Sequence, residues 1–93
     1  GRKLSPDAAM NAVLASASRG AAQFEAVSRT SLGAYLDGSL VHATGLVDSE
    51  RIEMLYAVFV HPDAVIQVKA RCPAESYDDV YEDFRAAVDS LRR

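Results

Sequence analysis

The sequence predicts one α+β domain, in which an antiparallel four-stranded sheet is flanked by an N-terminal and a C-terminal helix in the order α-β-β-β-β-α. Three observations lead to this prediction. Apolar residues recur at helical spacing near both ends of the chain. Between these ends, apolar and polar residues alternate as they do in strands. Glycine- and proline-containing turn signals separate the alternating runs.

The size and composition of the chain suit a single domain. The chain has 93 residues, of which 49% are hydrophobic and 25% charged. These are the values of an average globular protein, and the length is too short for two ordinary domains. We therefore assign residues 1–93 to one domain with one continuous fold.

The first helix is predicted over residues 6–19. Ser5 is a natural N-cap, and Pro6 suits the first helical position, where its missing N–H costs nothing. Gly20 stands where helices commonly end. The helix presents one narrow apolar stripe, formed by Met10, Val13, Leu14 and Ala17.

The first two strands are predicted around an Asp37-Gly38 turn. One strand covers residues 22–30, a second run covers 32–36, and the strand after the turn covers 39–47. Asp-Gly between apolar runs is a strong signal for a two-residue hairpin turn. A single bent strand through residues 22–36 is the alternative. Both faces of this hairpin carry apolar side chains, which predicts a sheet that is covered on both sides.

The last two strands are predicted over residues 51–60 and 64–72. A three-residue loop between them would set Val58 opposite Ile66, so that apolar side chains share one face. A register shifted by one residue would set Val58 opposite Gln67 instead. The apolar pairing favours the three-residue loop.

The final helix, over residues 77–91, has the most regular pattern in the chain. Ser76 is its N-cap and Asp79 completes a capping box. Its apolar stripe follows helical spacing without a gap and consists of Tyr77, Val80, Tyr81, Phe84, Ala87, Val88 and Leu91.

Composition and motifs argue against most kinds of chemistry. The formal net charge of −3 disfavours nucleic acid as a partner. No apolar run approaches the about 20 residues of a transmembrane helix. The spacing of Gly33 and Gly38 resembles a phosphate loop but lacks its lysine, and the histidines match no zinc motif. Cys72 is predicted to face the core. We therefore predict no catalytic residue, metal ligand or cofactor, and no enzyme.

Two groups of residues are candidate contacts on the sheet. His42, predicted to lie opposite Gly33, is either a half-buried sheet residue or a ligand contact, with Tyr35 as a second polar group. Leu55, Phe59 and Val65 are predicted to share one face of the last hairpin. That face is either core beneath the first helix or a partly open apolar groove for a peptide or lipid.

The outer face of the final helix is the third candidate surface. Asp78 and Glu82 belong to an acidic row on this face. The row either keeps the surface hydrated or binds a basic partner.

The second half of the chain resembles the PsbP-like (Mog-type) fold family and its LpqN- and DcrB-like bacterial relatives. The resemblance lies in YAVFVHPDAVIQVKA at residues 56–70, PAESY at 73–77, Phe84 and the closing SLR at 90–92. It implies an antiparallel sheet flanked by helices, a non-enzymatic accessory or binding role, and an extracytoplasmic, secreted lipoprotein context. The family opens with an extra β-hairpin that this chain lacks. The chain is thus either a fragment of a longer protein or a different α+β fold.

The leading functional hypothesis is a binding or accessory module that contacts a protein partner or a small apolar ligand. One alternative is a small acidic chaperone or cargo carrier for a secreted protein, which is expected to form a homodimer or to purify with bound peptide. A second alternative is a structural domain of a larger protein.

Overall fold

The computed structural model describes residues 5–32 and 37–91, and it confirms the predicted fold class and element order. The two helices are α1 (Pro6–Ser18) and α2 (Tyr77–Leu91). The four strands are β1 (Ala22–Leu32), β2 (Asp37–Val47), β3 (Glu50–His61) and β4 (Ala64–Pro73). They form one antiparallel sheet in the order β1-β2-β3-β4. A single 3-10 turn, Ala74–Ser76, connects β4 to α2.

The two helices pack on opposite faces of the sheet, which we call the α1 face and the α2 face. The Ser5 hydroxyl accepts a hydrogen bond from the backbone N–H of Ala8 at 3.1 Å and so caps α1 as predicted. The α1-face core consists of Ala9, Met10, Val13, Val41, Ala43, Met54, Tyr56 and Val58. The α2-face core consists of Leu40, Leu55, Ala57, Phe59, Phe84 and Val88.

Each helix leaves part of its own face open. Helix α1 packs on β2 and β3, whereas α2 packs on β3 and β4. Burial along β4 accordingly alternates, with Ile66 and Val68 half-buried under α2, and Gln67 and Lys69 exposed on the α1 face. The α1 face of β4 is therefore left uncovered by α1, and this uncovered area lies beside that helix. Neither helix is long and apolar enough to cross a bilayer.

The Asp37-Gly38 turn prediction is wrong. Strand β2 begins at Asp37, and Gly38 pairs with Leu32 on one side and Phe59 on the other. The glycine is needed for space, because a Cβ at Gly38 would lie 2.8 Å from the Phe59 ring. No glycine in the described ranges has positive φ. As a result, His42 lies opposite Ser28 and not opposite Gly33.

Strand β1 is one continuous strand from Ala22 to Leu32, which agrees with the alternative of a single bent strand. Its pairing with β2 shifts register twice, between Ala22 and Glu25 and between Ala26 and Ser28. Gln23 has a φ of 51°, and this conformation contributes to the irregular start of the strand. Most of the predicted run 32–36, including Tyr35, lies outside the described residues.

The predicted register of β3 and β4 is wrong by one residue. His61 pairs with Ala64 across a two-residue loop, and Val58 lies opposite Gln67. The prediction assumed that polar side chains would be avoided beside Val58. They are tolerated there because α1 does not cover β4 on this face. In return, Ile66 pairs with Phe59 on the α2 face, where both side chains pack beneath a helix.

Candidate functional site

The structure separates the residues of the predicted apolar groove. Leu55 and Phe59 are 1% and 0% exposed and belong to the α2-face core. Val65 lies on the other side of the sheet and is 41% exposed. The expectation that the three share a face is wrong, as is the expectation that the first helix would cover them. The first error follows from the one-residue error in register, and the second arises because α2, not α1, packs on the Leu55 and Phe59 face of β3.

The remaining candidates lie on three different parts of the fold. Tyr35 lies outside the described residues. Asp78 and Glu82 are exposed on α2 and lie on its outer face, as predicted. His42 is half-buried on the α2 face of β2. These side chains therefore do not form one site.

His42 belongs to a polar cluster at the start of α2. Its Nε2 lies 3.2 Å from Oε2 of Glu53 on β3, in a part-buried contact. Its ring stacks on the Tyr77 ring with 4.5 Å between centroids and 20° between planes. The Tyr77 ring in turn lies 5.7 Å from that of Tyr81. The cluster fastens the first turn of α2 to the middle of the sheet.

The neighbouring thiol is held in its protonated form. Cys72 lies opposite Glu53 in the sheet and is buried. Burial raises the pKa of the Cys72 thiol, and the negative charges of Glu53 and Glu75 raise it further. Since the thiolate is the reactive form, this raised pKa disfavours reaction of the Cys72 thiol at neutral pH. Within residues 5–32 and 37–91, no three His, Cys, Asp or Glu side chains lie close enough together to hold a metal ion.

A cleft lies between α1 and β4, and we call it the α1–β4 cleft. It has a volume of about 310 Å³, at the lower end of the range for ligand pockets. Helix α1 contributes one wall with Val13, Ser16 and Ala17. Tyr56 of β3 forms the floor, and Lys69 and Arg71 of β4 form the other wall.

The cleft follows from two local features of the sequence. Ser16 and Ala17 are small, so the second half of α1 leaves room beside β3. The register of β4 sets Lys69 directly opposite Tyr56, and the two-residue period of the strand places Arg71 on the same face. The register that was not predicted is therefore what brings the two cations to the cleft.

The polar side chains that line the cleft are two hydroxyls, of Ser16 and Tyr56, and two cations, Lys69 and Arg71. Lys69 and Arg71 form no ion pair within the described part of the chain, where the Lys and Arg side chains that do are Arg29, Arg51 and Arg85. The Tyr56 hydroxyl donates a hydrogen bond to Met54, with 3.4 Å between Oη and Sδ. Burial raises the pKa of Tyr56, although the charge of Arg71 acts in the opposite direction. The hydroxyl is therefore protonated at neutral pH.

This combination favours an anionic group. Among the described residues, those that line the cleft include no acidic side chain. Carboxylates and phosphates accept charge-assisted hydrogen bonds from Lys and Arg, and these bonds are about twice as strong as neutral ones. Val13 and the Tyr56 ring add apolar surface beside the cations. An anion with an apolar neighbour would complement these side chains.

Sequence reasoning missed the residues that form this cleft. The signal was present in the alternation of Gln67, Lys69 and Arg71 along β4, which marks an exposed strand face. The predicted register placed that face elsewhere, so the two cations were not connected with Tyr56 or with α1.

No family model, curated protein or solved structure matches this chain. Its function is therefore inferred from the geometry of the cleft.

Proposed function

We propose that this chain is a non-enzymatic binding module whose α1–β4 cleft recognises a carboxylate-bearing partner protein. One observation carries the proposal: Lys69 and Arg71 lie side by side on the cleft wall, and neither forms an ion pair within the described residues. Two adjacent cations repel each other, and an anion between them removes this repulsion while accepting their hydrogen bonds.

The net charge of the chain limits the distance over which this site attracts an acidic partner. The formal net charge is −3, so an acidic partner is repelled at long range. Attraction begins only near the Lys69 and Arg71 side chains, within about the 8 Å Debye length of physiological salt. We therefore expect modest affinity that decreases further as salt is added.

A small apolar ligand is the less supported alternative. The apolar residues predicted to hold it, Leu55 and Phe59, are buried beneath α2. The α1–β4 cleft is too rich in charge for a purely apolar molecule, since Lys69 and Arg71 would lose hydration without gaining a partner. A carboxylate next to an apolar side chain fits the cleft better.

The PsbP-like resemblance also remains a proposal. The α-β-β-β-β-α order agrees with the helix-flanked antiparallel sheet that the resemblance implies. An accessory or chaperone role in a secreted context is compatible with a cleft that binds protein segments. In either role, the cleft would be the contact surface.

Binding is tested by isothermal titration with a peptide that contains four glutamates. We expect the substitutions Lys69→Gln and Arg71→Gln each to weaken binding about tenfold, since a hydrogen bond to a charged group contributes about 1.5–3 kcal/mol. Arg85→Gln removes the same charge from α2 and should change affinity less than twofold. Equal losses in all three variants, or no binding by the unsubstituted protein, would contradict the proposal.

A second pair of variants tests the position of the site. Ser16 is exposed and lines the cleft, so Ser16→Trp places an indole inside it. Ala15 is also exposed but does not line the cleft, so Ala15→Trp is the matched control. We expect the first substitution to abolish peptide binding and the second to preserve it. Binding that survives Ser16→Trp unchanged would locate the site elsewhere.

A further inference from the structure

We propose that the partner segment binds in extended form, as a fifth strand along the free edge of β4, with alternating acidic residues over Lys69 and Arg71. This inference rests on the proposed function and adds the conformation and sequence pattern of the partner. The occupant is therefore an acidic segment of another protein.

Strand β4 has an edge that is suited to accept a strand. It is the last strand in the order β1-β2-β3-β4, so only one side of it is paired within residues 5–32 and 37–91. Its pairing with β3 runs from His61–Ala64 to Ile52–Pro73 without a register shift. The backbone groups on the outer side of β4 therefore form a straight row, which is the template for strand addition.

The other edge of the sheet is less suitable. Strand β1 changes register twice against β2, and Gln23 has a φ of 51°. Such irregularities bend and twist an edge and interrupt its row of donors and acceptors. Between the two edges, only the regular one belongs to the strand that carries Lys69 and Arg71.

The spacing of the cations defines the expected sequence pattern. Lys69 and Arg71 are two residues apart on one face of β4, so they are about 6.8 Å apart along the strand. Carboxylates at alternate positions of an added strand have the same spacing and lie on the same face. The intervening positions face the α2 side, next to Ile66 and Val68, and suit β-branched apolar residues.

A second copy of this chain is a poorer occupant of the edge. Pairing two β4 strands in antiparallel fashion about a two-fold axis keeps the two α1 faces on the same side. In the register centred on Ala70, Lys69 of each copy would lie opposite Arg71 of the other copy, and like charges across a strand pair are destabilising. An acidic strand replaces this repulsion with attraction.

The test uses the peptide Glu-Val-Glu-Thr-Glu-Val-Glu, capped at both ends, and two N-methylated forms of it. One form is methylated at its glutamates and the other at the intervening residues. In an added strand, the N–H groups of only one of these two sets point toward β4. We expect one methylated form to lose at least tenfold in affinity and the other to bind like the parent peptide.

The remaining outcomes separate the two proposals. If both methylated forms bind like the parent while Lys69→Gln still weakens binding, strand addition is overturned and anion recognition in the cleft stands. If no form binds, both proposals fail. If light scattering shows a dimer in which the β4 amides are protected from hydrogen exchange without peptide, a second copy occupies the edge and the strand-addition proposal is overturned.

Discussion

The close contact between Gly38 and Phe59 gives a sharp test of the sheet register. A Cβ added at Gly38 would lie 2.8 and 2.9 Å from two carbons of the Phe59 ring and 3.1 Å from the carbonyl oxygen of Val58. Carbon atoms prefer a separation of about 3.5 Å or more, so the ring would have to move by roughly 0.7 Å. Phe59 is fully buried and has little space in which to move.

We expect Gly38→Ala to lower the free energy of unfolding by about 1–2 kcal/mol. Overpacking costs about 1–3 kcal/mol, and the reduced freedom of the unfolded chain returns about 0.4–1 kcal/mol. Urea denaturation followed by circular dichroism measures this change. The melting temperature should fall by about 4–8 °C for each kcal/mol. Gly20→Ala is the control, because a Cβ there meets only the carbonyl oxygen of Ala17, at 3.7 Å.

The same substitution in a Phe59→Leu background identifies the cause. Removing the ring should relieve the clash, so Gly38→Ala should cost at least about 1 kcal/mol less in that background, a coupling typical of contacting residues. If Gly38 were instead in a turn with positive φ, the cost would be the same in both backgrounds. Equal costs would therefore refute the register of β2 and β3 described above.

Three further predictions concern stability. Ser39 is buried and its Oγ has no hydrogen-bond partner among the described residues. Ser39→Ala should therefore leave the free energy of unfolding, measured by thermal denaturation, unchanged or raise it by up to about 1 kcal/mol. Arg29 donates hydrogen bonds to α1 from an exposed position, so Arg29→Met should cost no more than about 1 kcal/mol in urea denaturation. Burial raises the pKa values of Cys72 and Tyr77 above their ordinary 9.0 and 10.0. Because the folded state holds these protons more tightly, the stabilisation they give is present at neutral pH and is lost as pH rises above about 9. Tyr77→Phe, which keeps the ring, should reduce this alkaline loss of stability, and an unchanged loss would contradict the assignment.

Local signals were sufficient to predict the two helices. Capping by Ser5 and the helical apolar spacing of α2 act within one or two turns of chain, and both were confirmed. The fold class followed, because two amphipathic helices and a sheet with two apolar faces have few ways to bury their surfaces.

The sheet register depends on packing that local patterns do not contain. In either register of β3 and β4, the apolar residues of β4 share one face of the sheet. The two registers differ in which face that is. The choice was decided by α2 covering Ile66 and Val68 while α1 leaves Lys69 exposed. The prediction of a turn at Asp37-Gly38 failed for a related reason. The Phe59 ring, which requires a glycine at position 38, is distant in sequence.

The candidate site could not be predicted because it depends on that register. Lys69 and Arg71 become a site only when Tyr56 and the small residues of α1 lie beside them. Of the predicted contacts, Leu55 and Phe59 were identified correctly as apolar sheet residues but lie in the core. His42 lies in a polar cluster whose visible role is to hold α2 in place.

The most direct test of the proposed binding site is a two-dimensional ¹H–¹⁵N titration of the protein with the Glu-Val-Glu-Thr-Glu-Val-Glu peptide. We predict that saturable shift changes are concentrated along β4, including Lys69 and Arg71, at Tyr56 and in the second half of α1, with the His42 cluster and the outer face of α2 unaffected. Changes centred on α2 or on His42, or no saturable change at millimolar peptide, would contradict the proposal that the α1–β4 cleft is the binding site.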